Sequence, residues 1–168
     1  MDGVNLSTDE FYRRLKDSSQ FPKTSLPSLE ETQKLVPRIV IAAMPETLDY
    51  LLAGGRLSKS SWMVGKLLSI IPIISFINGR VEVLLKKRGI KQCKRTVVEM
   101  IQADQADKDY GIIAAYTYNK ENVDDMIRML PEDYQNAISV YDDLCSSIAC
   151  HWGPNAFGFI YVKGIDVV

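Results

Sequence analysis

The dipeptide Asn78-Gly79 stands between two segments rich in apolar and β-branched residues, Ile71–Ile77 and Val81–Leu85. Asn-Gly is the strongest short-range signal for a two-residue hairpin, because both residues tolerate the positive φ angles of a type I′ turn. The sequence therefore predicts an antiparallel strand pair here, and the sheet that contains it must be antiparallel or mixed.

Helix and strand patterns alternate on both sides of this hairpin. Residues 89–104 carry apolar side chains at three- and four-residue spacing, which predicts an amphipathic helix. Residues 61–69 predict a second helix that is apolar on most sides and therefore buried, whereas the stretch around His151 looks less regular. The other predicted strands are Ile39–Ala43, Tyr110–Tyr118, Ala137–Tyr141 and Ala156–Val162, and the other predicted helices lie at about 8–17, 28–36, 45–53 and 122–130. The predicted fold class is α+β.

The composition is that of a globular protein with balanced charge. Of 168 residues 46% are hydrophobic, and 20 lysines and arginines oppose 21 acidic residues, for a formal net charge of −1. A domain of this size buries roughly 70% of the surface of its unfolded chain, so it needs neither a disulfide nor a metal to fold. Nucleic-acid binding needs a basic excess, so the composition disfavours that class of partner.

Cysteine usage and hydropathy predict a cytoplasmic protein. The three cysteines have no zinc-ligand spacing and predict buried thiols in a reducing compartment: Cys93, Cys145 and Cys150. The N-terminus is polar and acidic, unlike a secretory signal. The most apolar window, Trp62–Ile77, contains Lys66 and Pro72 and is shorter than the roughly 20 residues that span a bilayer. We therefore expect no integral membrane segment.

Charge is unevenly distributed along the chain. Seven basic residues and one acid lie between Arg80 and Arg95, whereas eleven acids and three bases lie between Glu99 and Asp143. These runs predict either solvated helix faces or a basic patch that binds an anionic headgroup or an acidic partner.

A few polar residues could carry chemistry. His151 precedes a Gly153-Pro154-Asn155 turn, whose backbone N–H groups could hold a carboxylate, although a lone histidine can equally be structural. The hydroxyls of Thr24 and Ser25 lie in a proline-bounded loop, where hydroxyls often cap backbone groups. A hydrolase built from Ser25, His151 and Asp142 lacks the glycine pattern of a nucleophile elbow, so we rank it last. We find no phosphate-binding glycine loop and no metal-ligand cluster.

Several longer stretches resemble the DegV family of bacterial fatty-acid-binding proteins. They are LDYLLAGGRLS (Leu48–Ser58), GKLLSIIPIISFINGRVEVLLKKRG (Gly65–Gly89), HWGPNAFGFIY (His151–Tyr161) and STDEFYRRLKDSSQFPKTSLPS (Ser7–Ser28). They occur in the family's order and together reach over most of the chain.

This resemblance implies a non-enzymatic protein that holds one long-chain fatty acid in a buried tunnel and presents its carboxylate to a fatty-acid kinase. The implied fatty-acid-binding residues are Thr24, Ser25, Arg88, His151 and Gly153, with Arg88 near the site of phosphorylation. A buried carboxylate needs the hydrogen bonds and positive charge that such residues supply. No cofactor and no metal is implied beyond the bound lipid. A group of apolar residues could form either the wall of the tunnel or ordinary hydrophobic core: Leu48, Leu51, Leu52, Met63, Leu67, Leu68 and Ile70.

The chain also departs from the family pattern. Family members have roughly 280 residues in two domains, whereas only about nine residues separate Ser28 from Pro37 here, where the family has a long βα stretch with a carboxylate-binding serine. Asn155 replaces a family glycine, and Leu26 a glutamine. We therefore expect residues 1–36 to be a remnant of the α/β N-terminal domain and residues 37–168 to form the DegV-like C-terminal domain, with a mixed sheet packed against helices.

Two hypotheses follow from this comparison. The first is a fatty-acid carrier for a kinase. The alternative is a truncated DegV-fold interaction or structural module that no longer binds lipid. Loss of part of the tunnel would expose apolar wall and favour self-association.

Overall fold

The computed structural model describes residues 29–164 apart from residues 56, 78, 79 and 145. The chain divides into two units, and the described residues from Leu35 onwards belong to the second. The predicted helix at residues 8–17 and the Thr24-Ser25 loop lie outside the described residues.

The second unit combines short helices with six described strands. The strands are β1 (Ile39–Met44), β2 (Ile70–Ile77), β3 (Arg80–Arg88), β4 (Ile112–Tyr116), β5 (Ile138–Asp143) and β6 (Phe157–Val162). The helices are α1 (Leu29–Leu35, which begins in the first unit), α2 (Asp49–Ala53), α3 (Lys59–Leu67), α4 (Ile90–Ala103), α5 (Glu121–Met129), α6 (Glu132–Gln135) and α7 (Ser146–Trp152), and a 3-10 turn covers Val36–Arg38. No helix in the described part of the chain is both long enough and apolar enough to cross a membrane.

The strands form one mixed sheet in the order β3-β2-β1-β6-β4-β5. Only β4 and β5 are parallel, and the other neighbours are antiparallel. The predicted strand pair around residues 78 and 79 is confirmed, with Ile77 opposite Arg80. The mixed α+β architecture predicted from the sequence is therefore confirmed. Strand β3 is longer than expected because it includes Lys86, Lys87 and Arg88, which an edge strand tolerates.

The sheet separates two hydrophobic cores. Alternate residues of β1 point to opposite faces, so Val40 and Met44 join the larger core while Ala43 joins the smaller one. Helices α4 and α5 cover the larger core, where Cys93 and Val97 are fully buried as the helical periodicity predicts. Helices α2 and α7 pack over part of the other face.

Two predicted features of this unit are wrong. Helix α3 is mostly exposed instead of buried: Leu67 is 84% exposed and Met63 57%. The helix packs through its small residue Gly65, where a β-carbon would lie 2.6 Å from Cδ1 of Leu48. The stretch around His151 is the regular helix α7, in which Ile148 and Trp152, four residues apart, pack towards the smaller core.

The cysteines are only partly as predicted. Cys93 is buried, and burial raises the pKa of its thiol above the ordinary value. Cys150 is exposed on α7, contrary to the prediction of a buried thiol, because Trp152, two residues on and so on the other side of the helix, takes the inward position. Cys145 lies outside the described residues.

Candidate functional site

A row of small residues crosses three neighbouring strands on the face that α2 and α7 partly cover. Gly158 of β6 lies opposite Ala43 of β1 and opposite Ala115 of β4. A β-carbon on Gly158 would lie 2.3 Å from the carbonyl oxygen of Ala42, so only glycine allows this approach of the two strands. The row leaves a shallow trough in the sheet surface.

Large apolar side chains close this trough into a cavity of about 120 Å³. Trp152 and Ile148 of α7 cover it from above, and Phe76 of β2 and Leu144 after β5 contribute its sides. The complete lining is apolar: Ile41, Ala43, Phe76, Ala115, Leu144, Ile148, Trp152, Phe157, Gly158, Phe159 and Ile160. A dry apolar cavity of this order accepts a small hydrocarbon, whereas pockets that enclose a whole ligand measure roughly 300–1,000 Å³.

Strands β1 and β2 diverge beside this cavity. These strands are paired only at Ala43 and Ile74. A second cavity, of about 640 Å³, lies at their other ends and shares Ile41 and Phe76 with the first. The second cavity is mixed in character, because Ser75, Asp104 and Lys163 line it beside its apolar residues.

The turn after α7 lies at the end of the sheet where β1 and β4 finish. Gly153 has φ +87°, and a β-carbon there would lie 2.5 Å from the ring of Tyr50, so glycine is required. Asn155 adopts φ +64°, a left-handed conformation that asparagine tolerates better than most residues. This explains how asparagine can replace the glycine of the family pattern.

Thr117, which sequence reasoning missed, holds this turn in place. Its buried Oγ1 donates to the carbonyl oxygen of Gly153 at 2.8 Å and accepts from the N–H of Ala156 at 2.9 Å. Its backbone carbonyl accepts from the N–H of Asn155 at 2.9 Å, and the N–H of Gly153 donates to Ala149. The backbone donors expected to hold a carboxylate are therefore already used within the protein, which corrects that part of the prediction.

The predicted polar site residues occupy different environments. His151 is exposed in the last turn of α7, and Gly153 is buried two residues later. Arg88 is exposed at the end of β3, opposite Ile70 at the beginning of β2, and so lies at the same end of the sheet. No hydrogen bond or ion pair joins Arg88 to His151 within the part of the chain that the structure describes. Thr24 and Ser25 lie outside it.

Two carboxylates fix the loops at this end of the sheet. The side chain of Asp49 accepts from Thr47 Oγ1 at 2.8 Å and from Trp62 Nε1 at 2.7 Å, and these hydrogen bonds lower the pKa of its carboxyl. Glu46 accepts from Nδ2 of Asn155 at 2.6 Å. Oδ1 of Asn155 is buried and has no partner among the described residues. In the same part of the chain, no three His, Cys, Asp or Glu residues group as metal ligands.

Comparison with known families identifies the fold. Residues 29–164 match the model of the DegV family, described as an uncharacterised protein family. A DegV domain-containing protein of Streptococcus pyogenes serotype M6 is 32% identical over 133 residues, which cover 78% of this chain and 47% of the relative. The chain thus spans less than half the length of such relatives.

A relative from serotype M1 of the same species aligns more widely. It is 25% identical over 239 aligned positions, which include 94% of this chain and 84% of the relative. Because this alignment is longer than the 168-residue chain, the relative has sequence within the aligned region for which this chain has no counterpart. Part of the relative's sequence within the aligned region is therefore absent from this chain.

Solved structures share the architecture. A fatty acid binding DegV family protein from Streptococcus agalactiae superimposes with a TM-score of 0.67 at 25% identity, over 81% of this chain and 49% of that one. The Fatty Acid Kinase (Fak) B3 protein of Streptococcus pneumoniae, solved loaded with linoleic acid, gives a TM-score of 0.68 at 19% identity, over 81% and 48%. The second likeness shows the fold alone. The family match over most of the chain shows that this protein belongs to the DegV family.

Proposed function

We propose that this chain binds a long-chain fatty acid, with part of the acyl chain in the cavity above Gly158, and presents the carboxylate to a fatty-acid kinase without catalysing a reaction itself. The observation that carries the proposal is the wholly apolar cavity on the Ala43–Gly158–Ala115 row. Burial of each methylene there contributes about 0.8 kcal/mol.

Homologous structures and the position of the turn after α7 support the proposal of fatty-acid binding. The solved Streptococcus agalactiae homologue is described as fatty acid binding, and the Streptococcus pneumoniae protein holds linoleic acid. The turn of Gly153 and the side chain of His151 lie at the end of the sheet from which a carboxylate would face solvent. Thr24 and Ser25 remain proposed contacts to that carboxylate, carried by the family resemblance.

The acyl site is tested by filling it. Native mass spectrometry of the purified chain is expected to show one bound fatty acid, and titration of delipidated protein to show affinity that rises with chain length. Ala115→Leu places three carbons in the cavity and is expected to lower affinity by roughly tenfold or more. Ala103→Leu makes the same change at an exposed position and serves as control. Equal affinity in the two variants, or no lipid in any preparation, would favour the non-binding DegV-fold module instead.

The kinase step is tested separately at Arg88. This side chain is exposed at the edge of the sheet, so it is available to a partner or to a phosphoryl group rather than to the acyl chain. Arg88→Glu is expected to reduce kinase-dependent formation of acyl phosphate from ATP while fatty-acid retention stays unchanged. Equal loss of both activities would contradict this division of roles.

A further inference from the structure

Three cations around the start of α4 make no ion pair with a described carboxylate. Seven basic side chains elsewhere in this unit lie within 4.0 Å of a carboxylate: Arg38, Lys66, Lys94, Lys108, Lys120, Arg128 and Lys163. Within the part of the chain that the structure describes, no carboxylate lies within ion-pair distance of Lys87, Lys91 or Arg95. The three positive charges therefore make no direct ion pair with a described carboxylate.

These three cations line one concave pocket of about 470 Å³. Lys87 comes from the end of β3, and Lys91 and Arg95 lie four residues apart on α4, which places their β-carbons about 5–6 Å from each other. Gln92 and Thr96 add neutral hydrogen-bonding groups to the same pocket. Gln92 accepts from the N–H of Arg88 at 3.3 Å, which leaves its amide NH₂ available as a donor.

The basic pocket is separate from the apolar cavity. Helix α4 packs against the larger core, whereas the cavity above Gly158 lies on the opposite face of the sheet. Lysine and arginine side chains on the exposed surface of α4 cannot reach through the sheet to a ligand there. A ligand bound in this pocket would therefore be distinct from the acyl chain in the cavity.

We propose that the pocket formed by Lys87, Lys91 and Arg95 binds phosphoryl groups of an anion that carries at least two negative charges. Phosphate oxygens accept charge-assisted hydrogen bonds from lysine and arginine, and the arginine can bind two of them at once. Glu99, one turn beyond Arg95, is the acidic residue of the pocket and limits the site at that end. The phosphoryl group can belong to a free polyphosphate or to a lipid headgroup.

Calorimetric titration of the full chain with inorganic pyrophosphate tests the site. The double variant Lys91→Gln with Arg95→Gln is expected to lower the affinity for pyrophosphate by roughly tenfold or more. The control pair, Lys59→Gln with Arg80→Gln, removes the same charge from exposed positions outside the pocket and is expected to change affinity by less than about twofold. Equal losses in the two pairs would overturn the proposal, because general charge would then explain binding.

Vesicle sedimentation distinguishes the source of the phosphoryl group. Phosphatidylcholine vesicles are compared with and without phosphatidic acid. Binding of the phosphatidic-acid vesicles alone, lost in the pocket pair and kept in the control pair, would assign the site to a lipid headgroup. Binding of pyrophosphate alone with the same dependence would assign it to a free polyphosphate. Failure of the unsubstituted chain to bind either probe would overturn the proposal.

Glu99→Gln is expected to change the affinity for pyrophosphate in the opposite direction. Removal of this carboxylate is expected to strengthen binding of pyrophosphate by a few-fold, since like charge near the ligand is removed. Unchanged or weaker binding would contradict a site at this place. Fatty-acid retention, measured in parallel on the pocket pair, is expected to be unaffected. Failure of the phosphate site is thereby distinguished from failure of the proposed lipid site.

Discussion

The indole of Trp152 stacks on the ring of Phe76, with centroids 6.3 Å apart and ring planes inclined by 13°. The contact joins α7 to β2 and closes one wall of the apolar cavity. Trp152 is only 8% exposed, whereas Phe76 is 47% exposed. The two residues therefore make unequal contributions to stability although they share one contact.

Truncation of these two rings is expected to lower the free energy of unfolding by different amounts. Trp152→Ala removes a buried ring and is expected to lower the free energy of unfolding by about 3–5 kcal/mol. Phe76→Ala removes a half-exposed ring, so we expect a loss of about 1–2 kcal/mol. Urea unfolding followed by far-UV circular dichroism measures both. Equal losses would mean that α7 does not depend on the indole for its packing.

Gly158 is expected to be the least replaceable glycine of the sheet. In Gly158→Ala the new methyl would meet the backbone of β1, so strands must separate and we expect a loss of more than about 2 kcal/mol. Gly89 has φ +76° but open space around its α-carbon. Gly89→Ala therefore measures left-handed strain alone, about 1–2 kcal/mol. Thermal unfolding of the pair checks the order, and a larger loss at Gly89 would contradict it.

Thr117→Val keeps the shape of the side chain and deletes its hydroxyl. The carbonyl of Gly153 and the N–H of Ala156 then lose their buried partner, at about 1–3 kcal/mol for each group left unsatisfied. Thr117→Ser retains the hydroxyl and is expected to lose less stability. Hydrogen exchange of the Ala156 amide should accelerate only in the valine variant. Equal exchange in both variants would show that the hydroxyl does not hold the turn.

Asp125 is expected to make stability depend on acid pH. Its carboxyl accepts from Nζ of Lys94 at 2.9 Å and also pairs with Arg128, and these contacts hold its pKa below the ordinary value of 3.8. Because the folded pKa lies below the unfolded one, this stabilisation is fully present above about pH 4 and is lost as pH falls through the lower, folded pKa. Asp125→Asn should flatten that part of the pH–stability curve in urea titrations. An unchanged curve would contradict the assignment.

The proposed contacts to the carboxylate predict that loss of either side chain weakens fatty-acid binding. Thr24→Ala and His151→Ala are each expected to lower fatty-acid affinity by roughly tenfold to hundredfold, because one hydrogen bond to a carboxylate is removed. We also expect weaker binding than in a full-length relative, since the missing segment leaves methylenes in water at about 0.8 kcal/mol each. Fluorescence titration with fatty acids of increasing length measures both effects. Affinity indifferent to both substitutions would mean that this headgroup site does not exist here.

Local patterns in the sequence were sufficient to predict much of the secondary structure. The segments around residues 78 and 79 predicted the β2–β3 pair, and the spacing of Cys93, Val97 and Ile101 predicted the buried face of α4. Both signals are local: a turn residue and a helical period depend on neighbours a few positions away. Motif resemblance supplied the family, because the matching stretches keep their order along the chain.

The tertiary structure alone decided where the cavity lies. No local sequence pattern marks the row formed by Ala43, Ala115 and Gly158. The row exists only because β1, β4 and β6, which are far apart in the sequence, pair in this register. The apolar residues of α3 had predicted burial, yet Leu67 is exposed because Gly65 faces inward. Periodicity records which side of an element is apolar. What that side meets depends on packing between elements distant in sequence, and packing places the cavity on one face of the sheet and the unpaired cations of α4 on the other.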